Sequence, residues 1–312
     1  MKNKILISDS ISDQAIKIFE NHKIDFDIKT DLDEKQLIEI MPMYTALVVR
    51  SATKVTSKII DSGKNLKVIG RAGAGVDNID LDYAKKRDII VMNTPGGNSN
   101  ATAEHTLALM LSLIRKIPIA NNSTHDGKWE KKLFKGSELS KKTIGLIGFG
   151  NVSIRLTELL KGFNVNILVF SESFKNRKNN YENLKDSSFE QILNESDILS
   201  LHCKSRKDGK PIISINELKK MKKSSYIINT ARGNIINEND LNNAINDNII
   251  SGAAIDVFSN EPAKENILFN NDKVILTPHI AASTSESQIK VAEMIADQIS
   301  DYLLNNNIKN NL

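Results

Sequence analysis

TIGLIGFGNVSIRLTELLKG, residues 143–162, joins an apolar strand to a helix through a glycine turn. An apolar run ends in Gly148-Phe149-Gly150-Asn151-Val152-Ser153, and a helical pattern follows. Gly148 permits a tight turn. Gly150 lets a phosphate approach the backbone in front of a helix N-terminus, where free amides and the helix dipole favour negative charge. Two glycines in this spacing are a weak signal alone, and the strand–turn–helix context strengthens it. Ser153 stands where a third glycine is usual, and its small side chain still suits close helix–strand packing. The segment reads as a dinucleotide-binding loop.

Outward from that loop the same alternation recurs on both sides. Downstream, VNILVFS (165–171), SDILSLHC (196–203), SSYIINTA (224–231), ISGAAIDVF (250–258) and KVILTPH (273–279) read as strands. Upstream, KILISD (4–9), FDIKT (26–30), ALVVRS (46–51), LKVIGRAG (66–73) and DIIVMNTP (88–95) do the same, with helical patterns between them. Alternating strands and helices imply parallel sheets covered on both faces. ATAEHTLALMLSLIRKI (101–117) is apolar on nearly every face and predicts one buried helix. STSESQIKVAEMIADQISDYLL (283–304) predicts an amphipathic helix that packs back on the first half, with Ser283 and Glu286 as its capping box. Its apolar stripe is Ile289, Ala292, Ala296, Ile299 and Leu303.

The chain has 312 residues, 40% hydrophobic, enough for two cored domains. Its single cysteine, Cys203, excludes an intrachain disulfide and fits a reducing compartment. No run reads as a signal peptide or a membrane span, so a cytoplasmic location is expected. The formal net charge is +4, but the lysines are interspersed with acids and no basic stripe alternates with aromatics. This argues against nucleic-acid binding. The asparagine-rich tail NNNIKNNL (305–312) reads as compositional bias.

Three downstream segments carry chemistry: NTARGNIIN (229–237), AAIDVFSNEP (253–262) and VILTPHIAAST (274–284). They hold Arg232, Glu261 and His279. A fixed cation can bind a carboxylate bidentately, an imidazole can move a proton on and off a hydroxyl, and a carboxylate can tune and orient that imidazole. Singly, each residue could be a surface cation, a turn acid or a loop histidine. His105, in the apolar helix, reads as a satisfied core histidine, and Cys203 as a small buried residue. No histidine–cysteine cluster has metal-ligand spacing, so no metal is expected. Past the second strand of the nucleotide unit an acid should bind the adenosine ribose. Ser171 and Glu172 stand there. Either Glu172 takes that role or the ribose site is not acidic. Lys175, Arg177 and Lys178 could then receive a 2′-phosphate. NAD is the expected cofactor, with NADP left open.

At these residues the chain resembles the D-isomer-specific 2-hydroxyacid dehydrogenases. VVRSATKV (48–55), GRAGAGVDNID (70–80), NTPGGNSNATAEH (93–105) and DGKWEKKLFKGSELSKKTIGLIGFG (126–150) carry the likeness. NTARGNII (229–236), GAAIDVFSNEP (252–262) and TPHIAASTSESQ (277–288) continue it. The resemblance implies that Arg232, Glu261 and His279 are catalytic. It implies cofactor contacts at Ala74, Gly148, Gly150, Asn151, Val152, Ser171, Glu172, Cys203, Thr230, Ala231, Asp256, Ala281 and Ala282. Ser171 replaces the family's usual aspartate, and Lys204 its usual proline. Arg50, Ser51, Arg71, Gly73 and Ala74, with Arg232 and His279, are the implied substrate contacts, and Lys54 is a helper.

The implied architecture is α/β, two doubly wound parallel-sheet domains. A Rossmann-type nucleotide domain, 99–280, is inserted in a flavodoxin-like substrate domain, 1–98 and 281–312. The active site is expected in the cleft between them. The implied reaction is NAD-linked oxidation of 3-phospho-D-glycerate to 3-phosphohydroxypyruvate, entering serine synthesis. Glyoxylate or hydroxypyruvate reduction is the enzymatic alternative, and a dinucleotide-sensing corepressor of the same fold the non-enzymatic one. A homodimer or higher homo-oligomer acting on a small molecule is expected. So is the lack of a regulatory domain after Leu312, and with it the lack of serine inhibition through one.

Overall fold

The computed structural model describes residues 3–176, 181 and 183–312. The chain divides into two compact units, Met1–Asn98 with Ala282–Leu312, and Ser99–Ala281.

The first unit is a parallel sheet of β1 (Lys4–Ile7), β2 (Asp25–Ile28), β3 (Ala46–Val49), β4 (Val68–Arg71) and β5 (Ile90–Met92). Helices α1 (Asp13–Asn21), α2 (Glu34–Ile40), α3 (Ser57–Ser62) and α4 (Leu81–Lys86) connect them. The order β2-β1-β3-β4-β5 is flavodoxin-like. Side chains alternate across the sheet. Ile5 and Ile7 join Ala15 and Phe19 in one core layer, while Leu6 joins Leu37, Ile59 and Ile60 in the other. A sheet buried on both faces requires such continuous apolar strands. The edge strand β2, DFDI, carries charges that discourage further pairing.

The second unit opens with α5 (Ser99–Ile114) and α6 (Ile117–His125). The helix expected over 101–117 is α5, which ends at Ile114, three residues short of the expected end, and a second helix begins at Ile117. Lys116 takes a left-handed φ of 55°, and Pro118, which has no amide to donate, sits in the first turn of α6. Then come β6 (Thr143–Ile147), α7 (Asn151–Leu160), β7 (Asn166–Phe170), α8 (Glu172–Lys175), β8 (Leu184–Asp186), α9 (Phe189–Glu195) and β9 (Ile198–Leu201). The unit ends with α10 (Ile215–Leu218), β10 (Tyr226–Asn229), α11 (Glu238–Asn246), β11 (Gly252–Ile255) and β12 (Val274–Leu276). The sheet order is β12-β11-β10-β9-β6-β7-β8. Counted from β6, this is the doubly wound order of a dinucleotide fold with one more strand added beyond β11. β8 escaped the sequence reading because LKD holds one apolar residue and lies at the sheet edge.

The chain then returns to the first unit as α12 (Ser285–Asn305), packed on α1 and β4. Its cap is Thr284, which accepts from the Ser287 amide at 3.1 Å, one residue later than the expected Ser283. Val291, Ala292, Ile295, Ala296 and Ile299 are its buried face. Gly70 on β4 lets this helix close in, since a Cβ there would meet Ile295 and Ile299 at 2.8 and 2.9 Å. Among the described residues no helix is long and apolar enough to cross a membrane.

Candidate active site

Winding places Arg232, Asp256 and His279 just beyond the carboxyl ends of three adjacent parallel strands, β10, β11 and β12. Ligands in open α/β sheets bind beyond strand carboxyl ends.

The imidazole of His279 is held by Glu261, with Nδ1 2.6 Å from Oε2. The other oxygen of Glu261 accepts from the Phe258 amide at 2.9 Å. A carboxylate only accepts, so Nδ1 carries the proton and Nε2 keeps its lone pair for a substrate hydroxyl. The pair is not sealed off: the side chains of His279 and Glu261 are 51% and 36% exposed, so solvent or a ligand can reach them.

The backbone of His279 is left-handed, with φ 54°. Asp256 holds that turn. Its side chain is fully buried, and Oδ1 accepts from Thr277 Oγ1 at 2.6 Å and the Ile280 amide at 2.9 Å. Oδ2 accepts from the Ala281 amide at 2.9 Å, and the His279 amide donates to the Asp256 carbonyl at 2.8 Å. Burial pushes this carboxyl up. Hydrogen bonds from His105, Thr277 and the two amides outweigh it and leave it below the usual carboxylate range. Asp256, expected among cofactor contacts, thus has its carboxylate engaged by the His279 loop.

Arg232 rides on a loop pinned by Asn229, which is 1% exposed. The Asn229 amide group donates to the Arg232 carbonyl at 2.8 Å and accepts from the Ala231 amide at 3.1 Å. Arg232 Nη1 donates to the Ala231 carbonyl at 2.6 Å. The next residue must be glycine, because a Cβ on Gly233 would overlap the Phe258 backbone. That contact packs the arginine loop against the segment leading to Glu261. Glu238, in the first turn of α11, fixes the same segment by accepting from the Ser259 amide at 2.8 Å and Ser259 Oγ at 2.9 Å. Neither Asn229 nor Glu238 was singled out from sequence. Glu238 meets a partner 21 residues on that only the tertiary fold brings near, and Asn229 bonds only to the backbone two and three residues on; each reads locally as a helix-start acid or a strand end.

The nucleotide loop lies between β6 and α7. Gly148 has φ 96°, and a Cβ on it would meet the His202 carbonyl oxygen at 2.5 Å. Gly150 is the N-cap of the ten-residue α7 and has open space where a Cβ would point. Ser153 is buried and donates to the Gly148 carbonyl at 2.8 Å, so the serine ties the turn where the third glycine is usual. Asn151 is exposed and Val152 half-buried at the start of α7. This cradle, open at Gly150 and backed by the amides of α7, fits a dinucleotide pyrophosphate. After β9, burial pushes the Cys203 thiol up to about 11, so it is a neutral half-buried group.

Beyond β7, Ser171 Oγ lies 2.9 Å from Ser173 Oγ, and Ser173 donates to the Phe149 carbonyl at 3.1 Å. Glu172 is 84% exposed and paired with Lys175 at 3.1 Å. Arg177 and Lys178 lie outside the described residues. Thr230 is 8% exposed, Ala281 4% exposed and Ala282 half-buried. Among the described residues no group of His, Cys, Asp and Glu could hold a metal ion.

In the first unit, the Arg50 amide donates to Asp9 Oδ2 at 2.5 Å and its Nη1 to the Ser10 carbonyl at 3.1 Å. Asp9 also accepts from Thr53 Oγ1 at 2.7 Å, closing a loop that leaves Ser51 and Lys54 exposed. Gly73 has φ 151°, and a side chain there would collide with the Arg71 guanidinium, which lies against it. Asn93 donates to the Ala74 carbonyl at 2.7 Å.

Residues 107–281 match the family model described as D-isomer specific 2-hydroxyacid dehydrogenase, NAD binding domain. D-3-phosphoglycerate dehydrogenase of Archaeoglobus fulgidus is 41% identical over 297 residues, 95% of this chain and 56% of that protein. Hydroxypyruvate reductase of Thermotoga maritima is 38% identical over 300 residues, 95% of this chain and 97% of that protein. The NAD+-bound 3-phosphoglycerate dehydrogenase of Entamoeba histolytica superposes with a TM-score of 0.84 at 29% identity, covering 100% of this chain and 99% of that one. The chain belongs to the D-isomer-specific 2-hydroxyacid dehydrogenase family. It spans about half the length of the curated phosphoglycerate dehydrogenases it matches, 56% and 54% of two of them.

Proposed function

We propose that this chain is an NAD-dependent oxidoreductase that oxidises 3-phospho-D-glycerate to 3-phosphohydroxypyruvate. The observation that carries the chemistry is the Glu261–His279 contact of 2.6 Å, which leaves His279 Nε2 able to take a hydroxyl proton. The choice of substrate is supported by the phosphoglycerate dehydrogenases at 41% and 42% identity.

NAD, when bound, supplies the acceptor for the hydride leaving C2. His279 Nε2 takes the hydroxyl proton as the carbonyl forms, and the adjacent Glu261 carboxylate offsets the positive charge that develops on the ring. Arg232 binds the carboxylate and the nascent carbonyl oxygen, its planar fork matching both. In reverse, protonated His279 donates to the ketone. Gly148, Gly150, Asn151 and Val152 hold the pyrophosphate. Ser171, Glu172, Cys203, Thr230, Ala231, Ala281, Ala282 and Ala74 frame the rest of the cofactor, and Asp256 contributes by holding its loop. Arg50, Ser51, Arg71, Gly73 and Ala74 bind the charged ends of the substrate.

A second reading, reduction of hydroxypyruvate or glyoxylate, is supported by the Thermotoga maritima relative, whose 38% identity is close to that of the first group. A panel of 2-hydroxy and 2-keto acids with NAD(H) and NADP(H) separates the readings. The first predicts the highest kcat/KM for 3-phospho-D-glycerate with NAD. A larger value for glycerate or hydroxypyruvate would transfer the assignment to the second.

We read the protein as a cytoplasmic homo-oligomer. Trp129, Leu133 and Ile117 support self-association, being 88%, 62% and 50% exposed on the second unit. Isolated surface apolar residues are common, but a tryptophan this exposed is not.

A further inference from the structure

His105 stands on α5, remote in sequence from every residue assigned a role above. Its side chain is only 19% exposed, and its Nε2 lies 3.2 Å from Thr277 Oγ1 and 3.5 Å from Asp256 Oδ1. Thr277 has one hydroxyl proton, and that proton goes to Asp256 Oδ1 at 2.6 Å. Thr277 Oγ1 can therefore only accept from His105, so His105 Nε2 carries a hydrogen. The opposite tautomer would set two lone pairs against each other. The same helix braces the neighbouring loop. Thr106 gives its proton to the Thr102 carbonyl at 2.7 Å, so at 2.9 Å it accepts from Thr230, two residues before Arg232.

We propose that His105 is a positioning residue for His279: its Nε2–H fixes the Thr277–Asp256 pair that holds the left-handed turn presenting the imidazole. The inference rests on the reading of His279 as the proton-transfer group. The chain of contacts is short. Asp256 receives the Ile280 and Ala281 amides on either side of its two oxygens, and the His279 amide donates to the Asp256 carbonyl. Without the His105 donor, Thr277 Oγ1 loses the N–H it accepts, and Asp256 loses the nearest ring N–H. A left-handed φ at a non-glycine residue persists only where its surroundings over-determine it. His279 is such a residue.

The test compares His105→Leu, which keeps bulk and removes the donor, with His105→Gln, which can place an amide N–H near the position of Nε2. Two readouts are taken on the full chain: amide hydrogen exchange of residues 277–282, and kcat and KM. His105→Leu is expected to speed exchange of the Ile280 and Ala281 amides by about tenfold or more, the scale of one lost charge-assisted bond. It is also expected to lower kcat by about tenfold while KM for NAD stays within about twofold. His105→Gln is expected to restore most of both. Should His105→Leu fail to fold, Thr277→Val removes the same bridge and is expected to give the same exchange and kcat changes. Unchanged exchange in the donor-less variant, or equal losses in His105→Leu and His105→Gln, would overturn the proposal. Exchange requires no turnover, so a wild-type chain inactive on every acid would refute the proposed function and leave this inference to be judged on exchange alone.

Discussion

Arg50, proposed to bind the substrate phosphate, is already held by its own unit. Asp9 holds its amide at 2.5 Å and the Ser10 carbonyl holds its guanidinium at 3.1 Å, so little side-chain freedom remains to be lost on binding. A phosphorylated three-carbon acid has an anion at each end, and Arg50 is the cation proposed for the phosphate. Arg50→Ala is expected to cost about 1.5–3 kcal/mol in kcat/KM for phosphoglycerate, and much less for glycerate or lactate. Equal losses on phosphorylated and unphosphorylated acids would assign Arg50 to the carboxylate or to folding. Ser171 sets a second prediction. No carboxylate comes from the residue at the end of β7, and Glu172 is paired with Lys175. Ser171→Asp should therefore raise the preference for NAD over NADP by about tenfold or more, through a new ribose contact and repulsion of a 2′-phosphate. An unchanged ratio of the two kcat/KM values would show that the ribose is not read there. The placement of the candidate site was legible in the sequence because it lies in local motifs: Arg232, Glu261 and His279 each sit in a segment whose neighbours announce a turn after a strand. Glu238 and His105 were not legible as site residues, because each acts on a partner far along the chain, and Asn229 was not because its partners, though only two and three residues on, are backbone groups that no side-chain pattern marks.

The element that joins chemistry to stability is the turn after β9. His202 donates its amide to the Ile147 carbonyl at 2.8 Å, and its own carbonyl oxygen lies 2.5 Å from where a Cβ on Gly148 would be. Its Nε2 is 2.9 Å from Ser200 Oγ. Burial pushes the imidazole down from the usual 6.5 to about 4. A base depressed in this way takes up its proton first in the unfolded chain. Its neutral form places no penalty on folding above about pH 6.5, and stability is lost progressively as pH falls from there towards 4. His202→Gln should remove that dependence. The stability difference between wild type and variant should be constant above about pH 7 and shift in favour of the variant by roughly 1–3 kcal/mol near pH 4. Denaturant unfolding across that range measures it, and parallel curves would contradict the assignment. Elements with long apolar runs were readable as strands since a sheet covered on both faces demands them. β8 was not, being short and polar at an edge. Nor was the break at Lys116, where a helical pattern running on through Arg115 and Lys116 hid a left-handed residue ahead of Pro118. The tail reads as biased composition in the sequence, yet the Leu312 amide donates to the Val91 carbonyl at 3.1 Å and Asn311 bridges Met92. Nothing in an asparagine run specifies that pairing.

At the scale of the whole molecule, the two sheets follow from one repeated rule, parallel strands with helices on both faces, and the strand orders were not written in any single segment. They emerge from which apolar runs are long enough to be central, with charged or polar runs such as DFDI and LKD left at edges. Self-association belongs to this scale. If the exposed apolar side chains of the second unit form the interface, Trp129→Ser with Leu133→Ser should lower the oligomeric mass in light scattering. A truncation of this kind typically weakens an anchor contact by about 2 kcal/mol or more. An unchanged mass at low micromolar concentration would place the interface elsewhere. His279, held by Glu261, is proposed to move the substrate proton while the nucleotide unit binds NAD. The most direct test of this role is NADH formation from 3-phospho-D-glycerate and NAD by wild type and His279→Ala, with NAD affinity measured alongside. Turnover is expected in the wild type, and in the variant a kcat lower by about 10²–10⁴-fold with NAD affinity within about twofold. A variant that oxidises the acid as fast as the wild type would contradict this role.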